Sequence, residues 1–209
     1  MRKVMRAGRM AFALVAAAVL GACESADPVA TPETTPTETF EAFEASVAAS
    51  ARANGIQVES LPAEALPMPS SGDQSWVFVQ GDVGDAAVEG IIGTRGGVLR
   101  LGQHWLLVPR DAVRADTRFR MTPIKDGTYH VELTATQVGA AVENDVGHAG
   151  FRTPIYLGFH FADAPIDPAT LAVAWLTDGM LISQPTFIYE EAWAVGVLRH
   201  FSGYVLVGN

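Results

Sequence analysis

The chain has 209 residues, 49% of them hydrophobic and 18% charged, with a formal net charge of −9. That balance excludes a wholly disordered chain and a polytopic membrane protein. Twenty glycines and twelve prolines are too many for a helix bundle and suit short strands joined by turns.

The first ten positions hold four of the fourteen basic residues, Arg2, Lys3, Arg6 and Arg9. Behind them residues 10–22, MAFALVAAAVLGA, are uninterrupted apolar and small residues. As a helix they span ~20 Å, short of the ~30 Å hydrocarbon core, so residues 1–22 read as an export signal and not as a permanent span. The segment has no twin-arginine pair, which points to the general secretory route. It closes with Leu20-Gly21-Ala22-Cys23. This resembles the lipobox of bacterial lipoproteins, and the resemblance implies cleavage before Cys23 and lipidation of Cys23. Several acyl chains on one residue anchor stably where one alone does not. The expected address is the bacterial cell envelope, with inner and outer membrane both open. Without the signal the chain carries 10 basic and 23 acidic residues, about −13. Such a chain repels nucleic acid and anionic headgroups, so no nucleic-acid partner is expected and the membrane is reached through the lipid on Cys23. Cys23 is the single cysteine, so no intramolecular disulfide forms.

Residues 23–39 follow as a Pro/Thr/Glu-rich tether, too poor in apolar residues to offset ordering entropy. Residues 24–39 reach at most ~55 Å. Residues 40–55 suit a short helix, with Phe40, Phe43, Val47 and Ala51 at helical spacing, Thr39 as its cap and Gly55 at its end. It is expected to dock on the following domain; holding a partner is the other reading. Residues 56–74, with three prolines and a Ser-Ser-Gly-Asp, read as a second linker.

From residue 75 to 209 short β-type runs alternate with turn signals. The runs are 75–80, 87–93, 98–101, 104–108, 118–124, 128–136, 154–161, 171–177 and 192–206, with Arg95-Gly96-Gly97 and Asp126-Gly127 as turns. About nine such strands argue an all-β fold, an antiparallel β-sandwich. In 128–136, Tyr129, Val131, Leu133 and Ala135 are predicted to face one way and His130, Glu132, Thr134 and Thr136 the other. Other runs are apolar on both faces and are expected to be central or to carry a covered second face.

Within this region Arg95-Gly96-Gly97-Val98-Leu99-Arg100-Leu101-Gly102, then Leu106-Leu107-Val108-Pro109-Arg110-Asp111-Ala112-Val113, resembles the opening of the ZU-five domain of ankyrins, tight-junction scaffolds and netrin receptors. His200-Phe201-Ser202-Gly203-Tyr204 resembles its final strand. The resemblance spans roughly residues 88–207 and implies an immunoglobulin-like sandwich that binds or scaffolds a protein partner.

Candidate chemistry is sparse. The histidines at 104, 130, 148, 160 and 200 show no ligand spacing, so no metal or cofactor is expected. Asp82 and Asp85 are too few for a calcium loop and read as a solvated acidic turn. No Gly-x-Ser-x-Gly elbow occurs, and no catalytic residue is assigned. Some animal relatives of the ZU-five domain cut themselves between Phe and Ser in His-Phe-Ser. That resemblance implies a self-processing alternative here: Ser202 attacks the Phe201 carbonyl, His200 is the base, and Gly203 permits the strain. The residues after the cut, SGYVLVGN, would stay paired in the sheet. A weaker alternative is carbohydrate binding, if two or more of Trp76, Trp105, Trp175 and Trp193 were exposed together.

Overall fold

A computed structural model describes residues 36–56, 76–139, 150–162, 164, 166–178 and 180–209. Thr35–Asn209 forms one compact unit, which contains the helix, both sheets and all three apolar clusters described below. In chain order the elements are α1 (Pro36–Ala53), β1 (Val77–Phe78), β2 (Val88–Ile92), β3 (Gly97–Leu101), β4 (His104–Val108), β5 (Thr117–Pro123), β6 (His130–Gln137), β7 (Ile155–His160), β8 (Ala172–Thr177), β9 (Met180–Ser183), β10 (Thr186–Tyr189), β11 (Trp193–Leu198) and β12 (Gly203–Gly208), with a 3-10 turn at Pro168–Thr170. No described helix is long and apolar enough to cross a membrane.

The strands form two antiparallel sheets, an all-β sandwich as the turn-rich sequence implies. One sheet has the order β2-β5-β6-β12-β8-β9, with β1 also paired to β12; the other has the order β10-β11-β7-β4-β3. The predicted alternation of β6 holds. Val131, Leu133 and Ala135 are buried while Glu132 and Thr134 are exposed. The run 104–108 is β4 residue for residue.

Other expectations need correction. The single run 192–206 is two strands, β11 and β12, broken at residues 199–202. The described residues hold twelve strands against about nine expected: the split adds one, and β9 and β10 lie outside the expected runs. Each is only four residues long, too short to show a period. The run 75–80 shrinks to β1 and one bridge between Gln80 and Thr128.

The inter-sheet core includes Leu106, Phe119, Met121, Leu133, Leu157, Phe159, Tyr204 and Leu206. A second apolar cluster lies on the outer face of the five-stranded sheet: Trp105, Leu107, Tyr156, Phe187, Tyr189, Val195 and Val197, under Val47 and Ala51 of α1. This is why β4, β7 and β11 are buried on both faces. A smaller cluster, Ala172, Ala174, Val205 and Val207, packs with Trp76, Leu176 and Leu181.

The helix docks on the sheet as expected, but its bounds differ. It begins at Pro36 and not at residue 40, so the expected tether 23–39 loses its last four residues and Thr39 lies within the helix. Proline is tolerated in a first turn, where its missing N–H has no intrahelical partner to lose. The end is as expected. Gly55 takes a φ of 76°, its N–H donates to the Arg52 carbonyl, and the Ile56 N–H donates to the Ala51 carbonyl. That pattern closes the last turn, and Ile56 completes it by packing into the apolar cluster. The Phe43 ring meets Trp105 edge-on at 5.1 Å, and the Arg100 guanidinium lies 5.8 Å from the Phe43 centroid. At the rim Arg110 pairs with Glu41, and its backbone N–H donates to Glu44 Oε1 at 3.1 Å.

Candidate functional site

A cleft of about 260 Å³ opens at one end of the sandwich, lined by Asp82, Val83, Gly84, Gly102, Gln103, His104, Tyr129 and His160. His104 opens β4 and His160 closes β7, so antiparallel pairing of the two strands brings the histidines side by side. Gln103 sits in the β3–β4 turn, and Tyr129 lies just before β6.

His104 is the buried member. The backbone N–H of His160 donates to its Nδ1 at 3.0 Å. An amide N–H can only donate, so Nδ1 is unprotonated and the hydrogen sits on Nε2, which faces the Asp82 carbonyl oxygen at 3.4 Å. Burial pushes the pKa of His104 down to about 4 against the opposing pull of the Asp82 carbonyl, and His160 nearby adds to the depression. His104 is therefore a neutral ring held at both nitrogens. The ring of Tyr129 meets it at 5.6 Å and also covers Gly81, where a Cβ would lie 2.2 Å from the phenol carbons.

The acidic turn beside the cleft is clamped by a cation. The Lys125 ammonium lies 2.9 Å from Asp85 Oδ1 and 3.5 Å from Asp82 Oδ1, and it donates to the Gly84 carbonyl. The Gly84 N–H donates to Asp82 Oδ1 at 2.8 Å, which is the main reason the Asp82 carboxyl sits below its ordinary pKa. Among the described residues no group of three or more His, Cys, Asp or Glu is placed to hold a metal ion.

The expected processing residues lie at the other end of β11, in the 199–202 connection that leads into β12 and not in the final strand itself. His200 stacks edge-on with Trp175 at 4.3 Å, and the Tyr204 hydroxyl donates to the His200 carbonyl at 2.8 Å and lies 3.3 Å from its Nδ1. Phe201 is buried, with its ring 4.8 Å from Phe151 and 5.7 Å from Phe119. The Ser202 carbonyl accepts from Leu133 N–H at 3.0 Å. Gly203 is an ordinary strand residue, paired with Glu132 and Leu176, so its freedom is not spent on strain there. Phe201, Tyr204 and Leu206 all enter the inter-sheet core because the connection interrupts the period.

No family model matches this chain, and no curated protein matches it.

The Gly-Gly turn before β3 and the proline that follows β4 have a clear local logic. Gly96 takes a φ of 75° in the β2–β3 turn, and a Cβ there would lie 2.6 Å from the Val108 carbonyl and 2.8 Å from the Phe40 ring. β4 ends at Val108, Pro109 follows, and Ala112 and Val113 return to the inter-sheet core. Of the tryptophans, Trp105 is buried beneath α1, and Trp76, Trp175 and Trp193 are half-buried. His130 pairs with Asp126 at 2.7 Å. Cys23, the lipobox residues Leu20, Gly21 and Ala22, the linker 57–74 and His148 lie outside the described residues. Sequence reasoning did not single out the cleft, since its residues come from four separate segments. The one signal was a histidine opening the otherwise apolar His104–Val108 run.

Proposed function

We propose that this chain is a lipid-anchored envelope protein whose ZU-five-like β-sandwich is a non-catalytic interaction module. The observation that carries the reading is Leu20-Gly21-Ala22-Cys23, which closes an apolar segment behind four cations and precedes a Pro/Thr/Glu-rich stretch. The ZU-five resemblance supports a protein partner, and the roles of the histidines support a binding role over catalysis. His104 is locked neutral by two hydrogen bonds, and His200 is taken up by Trp175 and Tyr204.

Metabolic labelling with an alkyne fatty acid tests the anchor. The full chain takes up label and sediments with membranes, and Cys23→Ala loses both. Equal labelling and sedimentation of the two proteins would overturn the anchor. In-envelope crosslinking tests the module: wild type forms a discrete adduct that Cys23→Ala, released from the membrane, does not. An identical pattern from both proteins would refute a partner met at the membrane surface.

A further inference from the structure

We infer that the cleft between the β3–β4 turn and the end of β7 is a binding site for a single neutral sugar ring. Its volume, about 260 Å³, lies below the ~300 Å³ at which drug-sized pockets begin, so it suits a one-ring ligand.

The walls exclude other ligand classes. No lysine or arginine lines the cleft, so an anion finds no cationic partner in its walls. A cation finds no carboxylate to spare, because Asp82 already receives the Gly84 N–H and lies beside the Lys125 ammonium. An apolar ligand would strip water from the polar groups of Gln103 and His160 without replacing their hydrogen bonds, and Val83, the one aliphatic side chain in the lining, is itself buried.

What remains is a set of polar groups that both donate and accept, bordered by rings. The Gln103 side-chain amide is exposed at the mouth, and only its backbone carbonyl is occupied, by Trp193 Nε1 at 3.0 Å. His160 uses its backbone N–H on His104, and its imidazole, which makes no hydrogen bond among the described residues, belongs to a residue of the lining. The Trp193 ring lies edge-on to His160 at 5.0 Å and borders the cleft, and Tyr129 is part of its lining. Sugar hydroxyls donate and accept at once, as the amide and the imidazole do, while the C–H face of a pyranose packs on aromatic rings. The sequence directed attention to paired exposed tryptophans. The cleft instead uses Gln103 and His160, with one half-buried tryptophan at its edge. This inference is independent of the anchor at Cys23, so either can fail alone.

The test is saturation-transfer NMR on residues 24–209, which include the whole compact unit, with the methyl glycosides of glucose, galactose, mannose and N-acetylglucosamine. At least one glycoside receives saturation from the protein. Gln103→Ala and His160→Ala each weaken its binding about tenfold, the loss of one good hydrogen bond. Gln103 is exposed, so its variant keeps the wild-type melting temperature and cannot lose binding by unfolding. Absence of saturation for all four glycosides overturns the site, and so does binding that survives both substitutions.

Discussion

The protonation state of His104 links the packing at the cleft to acid stability. The folded chain holds its pKa at about 4, against the ordinary 6.5 of an exposed imidazole. Below pH 6.5 the unfolded chain takes up a proton that the folded chain refuses until about pH 4. Stability is therefore full above pH 6.5 and falls with pH, at up to ~1.4 kcal/mol per pH unit, until the folded ring also titrates. The two values correspond to about 3 kcal/mol lost across that window, a large share of the ~5–15 kcal/mol that holds a typical domain together. His104→Asn keeps an acceptor for the His160 N–H and removes the titrating group. Urea unfolding of residues 24–209 at half-unit steps from pH 7 to 4 gives the two profiles. The carboxylates held below their ordinary pKa, Asp82 and Asp126, act in both proteins and largely cancel in the difference. The wild type loses about 3 kcal/mol more than the variant over the window. Parallel profiles would show that the ring is not buried and neutral as described, and the account of the cleft floor would fall.

Three further outcomes follow from the packing. Gly158→Ala places a Cβ 2.3 Å from the Trp105 indole, and overpacking of this kind lowers stability by ~1–3 kcal/mol; an unchanged urea midpoint would mean that Trp105 does not lie over Gly158. Val47→Asp puts a carboxylate on the fully buried, sheet-facing side of α1, with an expected loss of ~3 kcal/mol and faster amide exchange along the helix; wild-type exchange would refute docking. Denaturing intact-mass measurement of residues 24–209 returns the full-length mass if the module is non-catalytic. Loss of the eight residues after Phe201, absent in Ser202→Ala, would establish the self-processing alternative instead.

The parts of the fold legible in the sequence were those where one segment carries its own period. β6 alternates because one face meets the core and the other solvent, and β4 reads as continuously apolar because both of its faces are covered. Runs apolar on both faces were expected to be central or to carry a covered second face, and β4, β7 and β11 carry one. The helix spacing of Phe40, Phe43, Val47 and Ala51 suggested a docking face, and the structure seats it on the outer face of the five-stranded sheet. Boundaries set by context were not legible. Nothing local distinguishes the break at 199–202 from a continuing strand, since Phe201 is as apolar as its neighbours and its burial comes from Phe119 and Phe151, distant in sequence. The cleft was illegible for the same reason. It exists only where Asp82, Gln103, Tyr129 and His160 are brought together by pairing across both sheets.

The seat of α1 has a consequence for the order of assembly. The helix lies at the start of the domain, yet it is received by Phe187, Tyr189, Val195 and Val197 near its end, and the Ser46–Tyr189 hydrogen bond closes a loop of 143 residues. During synthesis from the N-terminus, the helix emerges long before its sheet exists. Its apolar stripe must wait, unprotected, until β10 and β11 arrive. The domain cannot complete itself piecemeal, and contacts of such sequence separation make folding slow and the waiting chain prone to aggregation. A chaperone that shields Phe40, Phe43 and Val47 during that interval would act where this architecture is most vulnerable.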